Sequence, residues 1–238
     1  MADSPATWLV IPTYNEAANV EAIAAAALAE LPAPRRLLIV DDDSPDGTGA
    51  IADRIAVSEP DLEVLHRPRK QGIGPAYLAG FKRALAAGAG VVAQMDADFS
   101  HDPADLPRLL GALRDADLAI GSRYVEGGGV ADWGAVRRAV SRGGGSYARL
   151  ILGVPVNDLT GGFKAFRRDV LDSIDLDSVD ALGYAFQVEM TYRAIQAGFR
   201  VVEVPITFRD RRIGESKMTG RIVLEAAWRV PAMRLRGP

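Results

Sequence analysis

Residues 8–46 read WLVIPTYNEAANVEAIAAAALAELPAPRRLLIVDDDSPD. Two apolar runs stand out, Trp8–Ile11 and Leu37–Val40, closed by Pro12 and by Asp41. Short apolar runs without polar alternation are the pattern of strands buried on both faces. Between them, Ala18–Leu31 is alanine-rich and stopped by Pro32 and Pro34, which predicts a helix. Strand, helix, strand in this order makes a parallel pair joined by a crossover.

The alternation continues outward. Gly47–Val57 reads as a helix, Leu62–Leu65 as a strand, Gly74–Ala87 as a helix ended by Gly88, and Val91–Met95 as a strand. Pro103–Arg114 reads as a helix, with Asp102 as N-cap and Pro103 at its first position. Leu118–Ile120 is a further strand. The expected fold is α/β, a mostly parallel central sheet flanked by helices. Ligands of such sheets bind beyond the carboxyl ends of the strands. That rule singles out Pro12–Glu16, Asp41–Thr48, Asp96–Asp102 and Gly121–Tyr124.

The second half is less regular. Val125–Trp133 contains Gly127, Gly128 and Gly129 and reads as a loop. Ala135–Leu152 is helical, with Gly143–Gly145 as a point of interruption. Asp158–Phe166 reads as a turn and a strand, Ala185–Ala197 as a helix and Phe199–Val204 as a strand. Ile206–Glu215 is a basic loop before a helix from Lys217 to about Val230. No internal repeat or linker divides the chain, so one domain over 1–238 is expected.

Composition narrows the chemistry. The chain has 238 residues, no cysteine and only two histidines, His66 and His101. Disulfides, cysteine-ligated zinc and a multi-histidine metal site are thereby excluded. A bound metal would rely on carboxylates, which points to Mg²⁺ or Mn²⁺. No signal peptide is read, and no apolar run approaches the ~20 residues that span a bilayer. The expected location is cytoplasmic, either soluble or peripheral on the cytoplasmic face of a membrane. The net charge of −3 hides an asymmetry. Residues 1–118 carry 10 basic and 18 acidic side chains, and residues 119–238 carry 18 and 13. An acidic front half suits a metal, and a basic back half suits phosphate or an anionic membrane.

Asp96-Ala97-Asp98 follows the strand Val91–Met95. Two carboxylates two residues apart point the same way in extended backbone and repel unless a cation lies near them. A divalent cation binds through one or two carboxylates plus substrate phosphates. Asp41-Asp42-Asp43-Ser44-Pro45-Asp46 is either a base-recognising turn or an acidic turn with Ser44 or Asp46 capping a helix. Pro12-Thr13-Tyr14-Asn15-Glu16 either stacks and hydrogen-bonds a base or is a strand end followed by a cap at Asn15. Lys70-Gln71-Gly72-Ile73-Gly74 opens a helix where backbone and phosphate can approach, although it is neither a P-loop nor a dinucleotide fingerprint. Arg123 lies just beyond the strand Leu118–Ile120. Arg137, Arg138 and Arg142 lie on the next helix, either as phosphate ligands or as a solvated basic face. The C-terminal helix, with Trp228, Arg229 and Arg234, reads equally as an interfacial anchor or as a helix packed on the sheet.

Taken in order, Val10–Glu16, Val40-Asp41-Asp42, Asp46-Gly47-Thr48, Asp96-Ala97-Asp98 and Gly121-Ser122-Arg123-Tyr124 resemble family 2 inverting glycosyltransferases. Asp158-Leu159-Thr160-Gly161-Gly162-Phe163 and Gly214-Glu215-Ser216-Lys217 resemble the polyprenyl (dolichyl) phosphate mannose synthases among them. The resemblance covers roughly residues 8–220. It implies the nucleotide-diphosphate-sugar transferase (glycosyltransferase A-type) fold, GDP-mannose as donor and a polyprenyl monophosphate lipid as acceptor. It also implies peripheral membrane association, direct or through a membrane-anchored partner protein, and no nucleic-acid partner. By match, Pro12, Tyr14, Glu16, Asp42, Lys70 and Gly74 would hold the donor, and Asp96, Ala97 and Asp98 the metal and diphosphate. Arg123, Arg137 and Ser141 would meet the acceptor phosphate, with Arg211 and Lys217 closing the site. Residues 7–122 would form the donor-binding half and 123–238 the acceptor-binding half. Where some relatives place a glutamine as a further metal ligand, this chain has Ser100.

Three rival activities share parts of this pattern. A polyprenyl-phosphate glucosyltransferase using UDP-glucose differs only in its donor. A sugar-phosphate nucleotidyltransferase needs a glycine-rich, arginine-containing loop after the first strand, where this chain has Pro12–Glu16. A non-catalytic nucleotide-sugar-binding module would not need both the carboxylate and the arginine sets.

Overall fold

The computed structural model describes residues 5–179, 183–210 and 228–235. Its core is a seven-stranded sheet. In chain order the strands are β1 (Thr7–Thr13), β2 (Arg35–Asp41), β3 (Leu62–His66), β4 (Val91–Gln94), β5 (Leu118–Ser122), β7 (Lys164–Arg167) and β8 (Val201–Pro205). Their spatial order is β3-β2-β1-β4-β7-β5-β8. All neighbouring pairs are parallel except those of β7, which runs antiparallel to β4 and β5. The short β6 (Gly129–Val130) and β9 (Thr207–Phe208) pair as a separate ribbon.

The helices are α1 (Val20–Glu30), α2 (Thr48–Ser58), α3 (Ile73–Ala86), α4 (Leu106–Ala112), α5 (Ala135–Leu152), α6 (Arg168–Ser173) and α7 (Gly183–Gln196). Asp102 caps a 3₁₀ turn, Pro103–Asp105, that leads into α4; its side chain accepts from the Ala104 amide at 3.1 Å.

The two apolar runs quoted first show why the sheet is buried twice. Trp8, Val10, Leu38 and Val40 enter one core cluster, with Tyr77 and Phe81 of α3 and Phe186 of α7. Leu9, Ile11, Leu37 and Ile39 enter the other, with Ile23 and Ala27 of α1 and Leu106 of α4. Successive residues of a strand face opposite ways, so a run apolar at every position serves two helical layers. Close packing of α3 on β1 rests on Gly80: a Cβ there would lie 2.4 Å from Val10 Cγ1.

Three expectations are corrected. Gly143–Gly145 do not interrupt α5, which runs unbroken over Ala135–Leu152; a glycine weakens a helix by roughly 1 kcal/mol without forbidding it. The helix α6 was not foreseen, its six residues being too few to show a period. The expected helix from Lys217 lies mostly outside the described residues, and its end near Val230 is too early, because residues 228–235 are helical.

Strand β1 connects outward to β2 and β3 on one side, and the chain then returns to β4 on the other. The crevice between the carboxyl ends of β1 and β4 is the topological switch point, where such folds bind ligands.

Candidate functional site

A cavity of about 310 Å³ opens at that switch point. Pro12, Tyr14, Glu16, Asp42, Lys70, Asp96, Ala97, Asp98, Arg123 and Arg137 all border it. A larger groove of about 520 Å³ between α1 and α2 lies away from the strand ends and holds none of these residues. Gly74 is buried at the start of α3 and does not border the cavity, whereas Gly72 and Ile73 do. Ser141 on α5 is also off the wall, accepting a hydrogen bond from the Tyr124 hydroxyl at 2.6 Å. Arg211 and Lys217 lie outside the described residues.

The loop after β1 is fastened to the loop after β2. Asn15 takes a left-handed conformation, φ 59°, which asparagine tolerates better than most residues. The amides of Asn15, Glu16 and Ala17 donate to Ser44 Oγ, Thr48 Oγ1 and Asp46 Oδ2 at 3.1, 2.9 and 3.0 Å. Three of the four acids at the end of β2 thus divide their work. Asp41 accepts from Thr13 Oγ1 and Ser44 Oγ at 3.1 and 2.6 Å. Asp46 accepts from the Thr48 amide and hydroxyl; slight burial opposes its ionisation, but these bonds outweigh it and lower its pKa. Asp42 faces the cavity, paired with Arg67 and accepting from the Gln71 amide at 3.3 Å. Lys70 Nζ sits 3.7 Å from the centre of the Tyr14 ring, a cation–π contact.

At the end of β4, Asp96 accepts from the Tyr77 hydroxyl at 3.0 Å, and Asp98 from the Ser100 amide at 3.0 Å. Burial, then the Asp96 charge, pushes the Tyr77 phenol well above its usual pKa, so it remains a donor. His101 is buried between the rings of Phe163 and Phe208, 5.2 and 5.3 Å away. Its Nδ1 accepts from the Asp96 amide at 3.3 Å. Burial lowers its pKa despite the opposing pull of Asp96 and Asp98, and the neutral ring braces the carboxylate loop.

Arg123, which also borders the cavity, is held by Asp158. Its Nε and Nη2 donate to the two carboxylate oxygens at 2.7 and 2.6 Å, and Nη2 also reaches Thr160 Oγ1 at 2.8 Å. The side chains are 6% and 0% exposed. Burial acts to raise the Asp158 carboxyl, but the Arg123 hydrogen bonds and charge outweigh it and hold the pKa below 3.8. Glu203 of β8 buttresses the pair, accepting from the Asn157 and Asp158 amides at 2.9 Å each. Arg137 lies over the Trp133 ring at 4.2 Å and pairs with Asp210 at 2.7 Å.

Behind this wall lies Lys164 of β7, with no exposed surface. Its Nζ donates to the Gln187 carbonyl at 2.7 Å and to Thr191 Oγ1 at 2.9 Å. Burial, against the opposing pull of Asp158, lowers its pKa to about 7. The sequence reading did not single out Arg67, Trp133, Gln187, Phe208 or Asp210. A tryptophan inside the glycine-rich segment Val125–Trp133 was the one local signal among them.

The chain matches the family model described as glycosyl transferase family 2 over residues 8–175. It is 50% identical over 233 residues to a polyprenol monophosphomannose synthase of Mycolicibacterium smegmatis, covering 97% of this chain and 88% of that protein. It is 49% identical over 217 residues to an undecaprenyl-phosphate mannosyltransferase of Micrococcus luteus, covering 91% and 89%. Among solved structures, a glucosyl-3-phosphoglycerate synthase from Mycobacterium tuberculosis, in complex with Mn²⁺, uridine-diphosphate-glucose and phosphoglyceric acid, superposes with a TM-score of 0.70. The identity is 20%, over 99% of this chain and 81% of that one. A mannosyltransferase from Pyrobaculum calidifontis, in complex with GDP-Man and Mn²⁺, gives 0.67 at 18% identity, over 100% and 66%. At such identities these two speak for the fold alone. The family match spans β1 to α6, the segment that carries Asp96, Asp98, Arg123 and Arg137, and on it the chain belongs to glycosyl transferase family 2.

Proposed function

We propose that this chain transfers mannose from GDP-mannose to the phosphate of a polyprenyl monophosphate, with inversion at the anomeric carbon. One observation carries the reading: a single cavity is bordered by the carboxylates Asp96 and Asp98 and by the arginines Arg123 and Arg137. The names of the two relatives at about half identity point to the same donor sugar and acceptor class.

In this reading Pro12, Tyr14, Glu16, Asp42 and Lys70 hold the guanosine end of the donor. Asp96 and Asp98 face the diphosphate. Among the described residues no group of three or more acids or histidines gathers as a metal site. Two carboxylates at a strand end, completed by substrate phosphate oxygens, nonetheless fit Mg²⁺ or Mn²⁺. Such an ion, held by Asp96 and Asp98, supplies positive charge against the departing diphosphate. The acceptor phosphate is already ionised near neutral pH, so it attacks without a general base. Its oxygen bonds to the anomeric carbon as the bond from that carbon to the diphosphate oxygen breaks, and GDP leaves. Arg123 contributes a fixed charge, and Arg137 exchanges Asp210 for the incoming phosphate. Residues 7–122 then serve mainly the donor and later residues mainly the acceptor.

A lipid acceptor requires a membrane surface. No helix of the described residues is long and apolar enough to cross one. On α5, however, Val136, Val140, Tyr147 and Leu150 are exposed and fall on one stripe at helical spacing. Exposed Trp228 and Leu235 lie on the 228–235 helix, which Arg234 ties to the Leu152 carbonyl at 2.6 Å. We assign peripheral attachment to these two helices, on the cytoplasmic face.

The test is transfer of radiolabel from GDP-mannose into membrane lipid extract with Mg²⁺ or Mn²⁺ present. The expected product is organic-soluble, labile in mild acid, and suppressed by competing GDP but not UDP. Label confined to the aqueous phase, or competition by UDP instead, would overturn the reading.

A further inference from the structure

A buried chain of three groups fixes the orientation of one amide on the cavity wall. Gln94, at the end of β4, has no exposed surface. Its Nε2 lies 2.9 Å from the Gly162 carbonyl oxygen and 2.7 Å from Gln187 Oε1. A carbonyl only accepts, so the Gln94 amide group must turn its NH₂ toward Gly162. That NH₂ in turn requires an acceptor from Gln187. The Gln187 carboxamide therefore shows its oxygen to Gln94 and its NH₂ away from it. The residue borders the cavity and is 4% exposed. Buried side-chain atoms lacking a partner, among the described residues, are Gln94 Oε1, Trp133 Nε1 and Arg137 Nε; Gln187 Nε2 is not one of them. It makes no hydrogen bond to a described residue, and Gln187 is one of the residues that border the cavity. Lys164 holds the same residue from behind through its carbonyl, so the donor is fixed at both backbone and side chain.

Its place on the wall says what it meets. The neighbouring Phe186 stacks on Tyr77 at 5.9 Å and 5°, and Tyr77 donates to Asp96. A Cβ added to Gly162 would lie 3.6 Å from both Asp96 oxygens. The Gln187 amide thus adjoins the carboxylate wall. We infer that Gln187 is a specificity residue that donates a hydrogen bond to a hydroxyl of the hexose being transferred. The inference rests on the reading that Asp96 and Asp98 face the donor diphosphate, because the hexose is bonded directly to that diphosphate. A site built to bond a hydroxyl discriminates against donors that lack it.

The experiment compares kcat/KM for GDP-mannose and its singly deoxygenated analogues in the wild type, Gln187→Ala and Gln187→Glu, with Kd for GDP in Mg²⁺ as control. Gln187→Glu keeps an oxygen toward Gln94 and nearly the same volume, but replaces the donor with a carboxylate oxygen and its charge; Gln187→Ala removes the donor without adding charge. In the wild type one deoxy analogue should lose roughly tenfold. In both variants GDP-mannose should fall by at least that factor and the penalty for that one analogue should vanish, and in Gln187→Ala GDP should bind within about twofold of the wild type. The inference fails if every deoxy penalty persists in the variants, if GDP affinity falls in parallel in Gln187→Ala, or if only the KM for the lipid phosphate rises. A wild type that transfers no mannose from GDP-mannose would instead defeat the underlying activity, a distinct result.

Discussion

The two charged walls of the cavity are held in opposite ways. Asp96 accepts from a tyrosine hydroxyl and Asp98 from a backbone amide, contacts that orient the two carboxylates without adding charge of their own. Arg123 and Arg137 are each fixed by a carboxylate, so part of their charge is answered before a ligand arrives. The arginines also differ from each other. Arg123 and Asp158 form a bidentate pair sealed from water, while the Arg137 and Asp210 side chains are 27% and 38% exposed. A buried pair resists exchange because breaking it strands a desolvated charge; an exposed pair exchanges at little cost. The acid wall presents two carboxylates of the kind that bind a divalent cation together with phosphate oxygens. The basic wall combines one permanent charge with one that can change partner.

The largest effect expected is on the acid wall. Asp98→Ala removes one of the two carboxylates proposed to face the diphosphate and should lower mannosyl transfer roughly 10³-fold at saturating metal. Folding stability should change far less. Parallel transfer assays and thermal melts decide the matter. Wild-type turnover in the variant would remove Asp98 from the reaction and with it the contrast between the walls.

The buried half of the basic wall should answer in stability. Asp158→Asn leaves Arg123 without its counter-charge in a dry site and should cost about 3–5 kcal/mol, read from denaturant unfolding. The pH dependence has a definite sign. Because the folded carboxyl titrates below its usual 3.8, the wild-type contribution is complete above that value and is lost as pH falls through the lower, folded pKa. The variant should lack this portion of acid destabilisation. A loss under about 1 kcal/mol would mean that the pair is no more locked than an exposed one.

These contrasts separate what was legible in the chain from what was not. Strands β1 to β5 were readable to within three residues, because strands buried on both faces leave unbroken apolar runs. That β7 would insert antiparallel between β4 and β5 was not, since pairing partners lie far apart in the chain and leave no local period. At the site, Asp96, Asp98, Asp42 and Arg123 were visible as polar residues at strand ends. Their partners were not. Asp158 is 35 residues from Arg123, and Asp210 is 73 from Arg137. Gln187 looked like an ordinary helical residue until β4 and β7 were placed behind it. Local sequence showed where charge gathers; only the tertiary fold shows which charges are already answered.

The smallest effect, on the exposed pair, sharpens the comparison most. Asp210→Asn removes the charge that competes with an acceptor phosphate for Arg137 while keeping the side-chain shape. Stability should move by less than about 1 kcal/mol, as for other solvent-exposed pairs. The KM for polyprenyl phosphate should fall about two- to fivefold, with kcat for saturating acceptor nearly constant. The direction matters more than the size. If Arg137 trades Asp210 for phosphate, losing the competitor tightens acceptor binding; if Asp210 instead aims Arg137 at the phosphate, KM rises. Initial rates across acceptor concentrations, at fixed saturating GDP-mannose, separate the two. A rise would make both arginines fixed parts of the wall and leave the acceptor phosphate to be met without exchange.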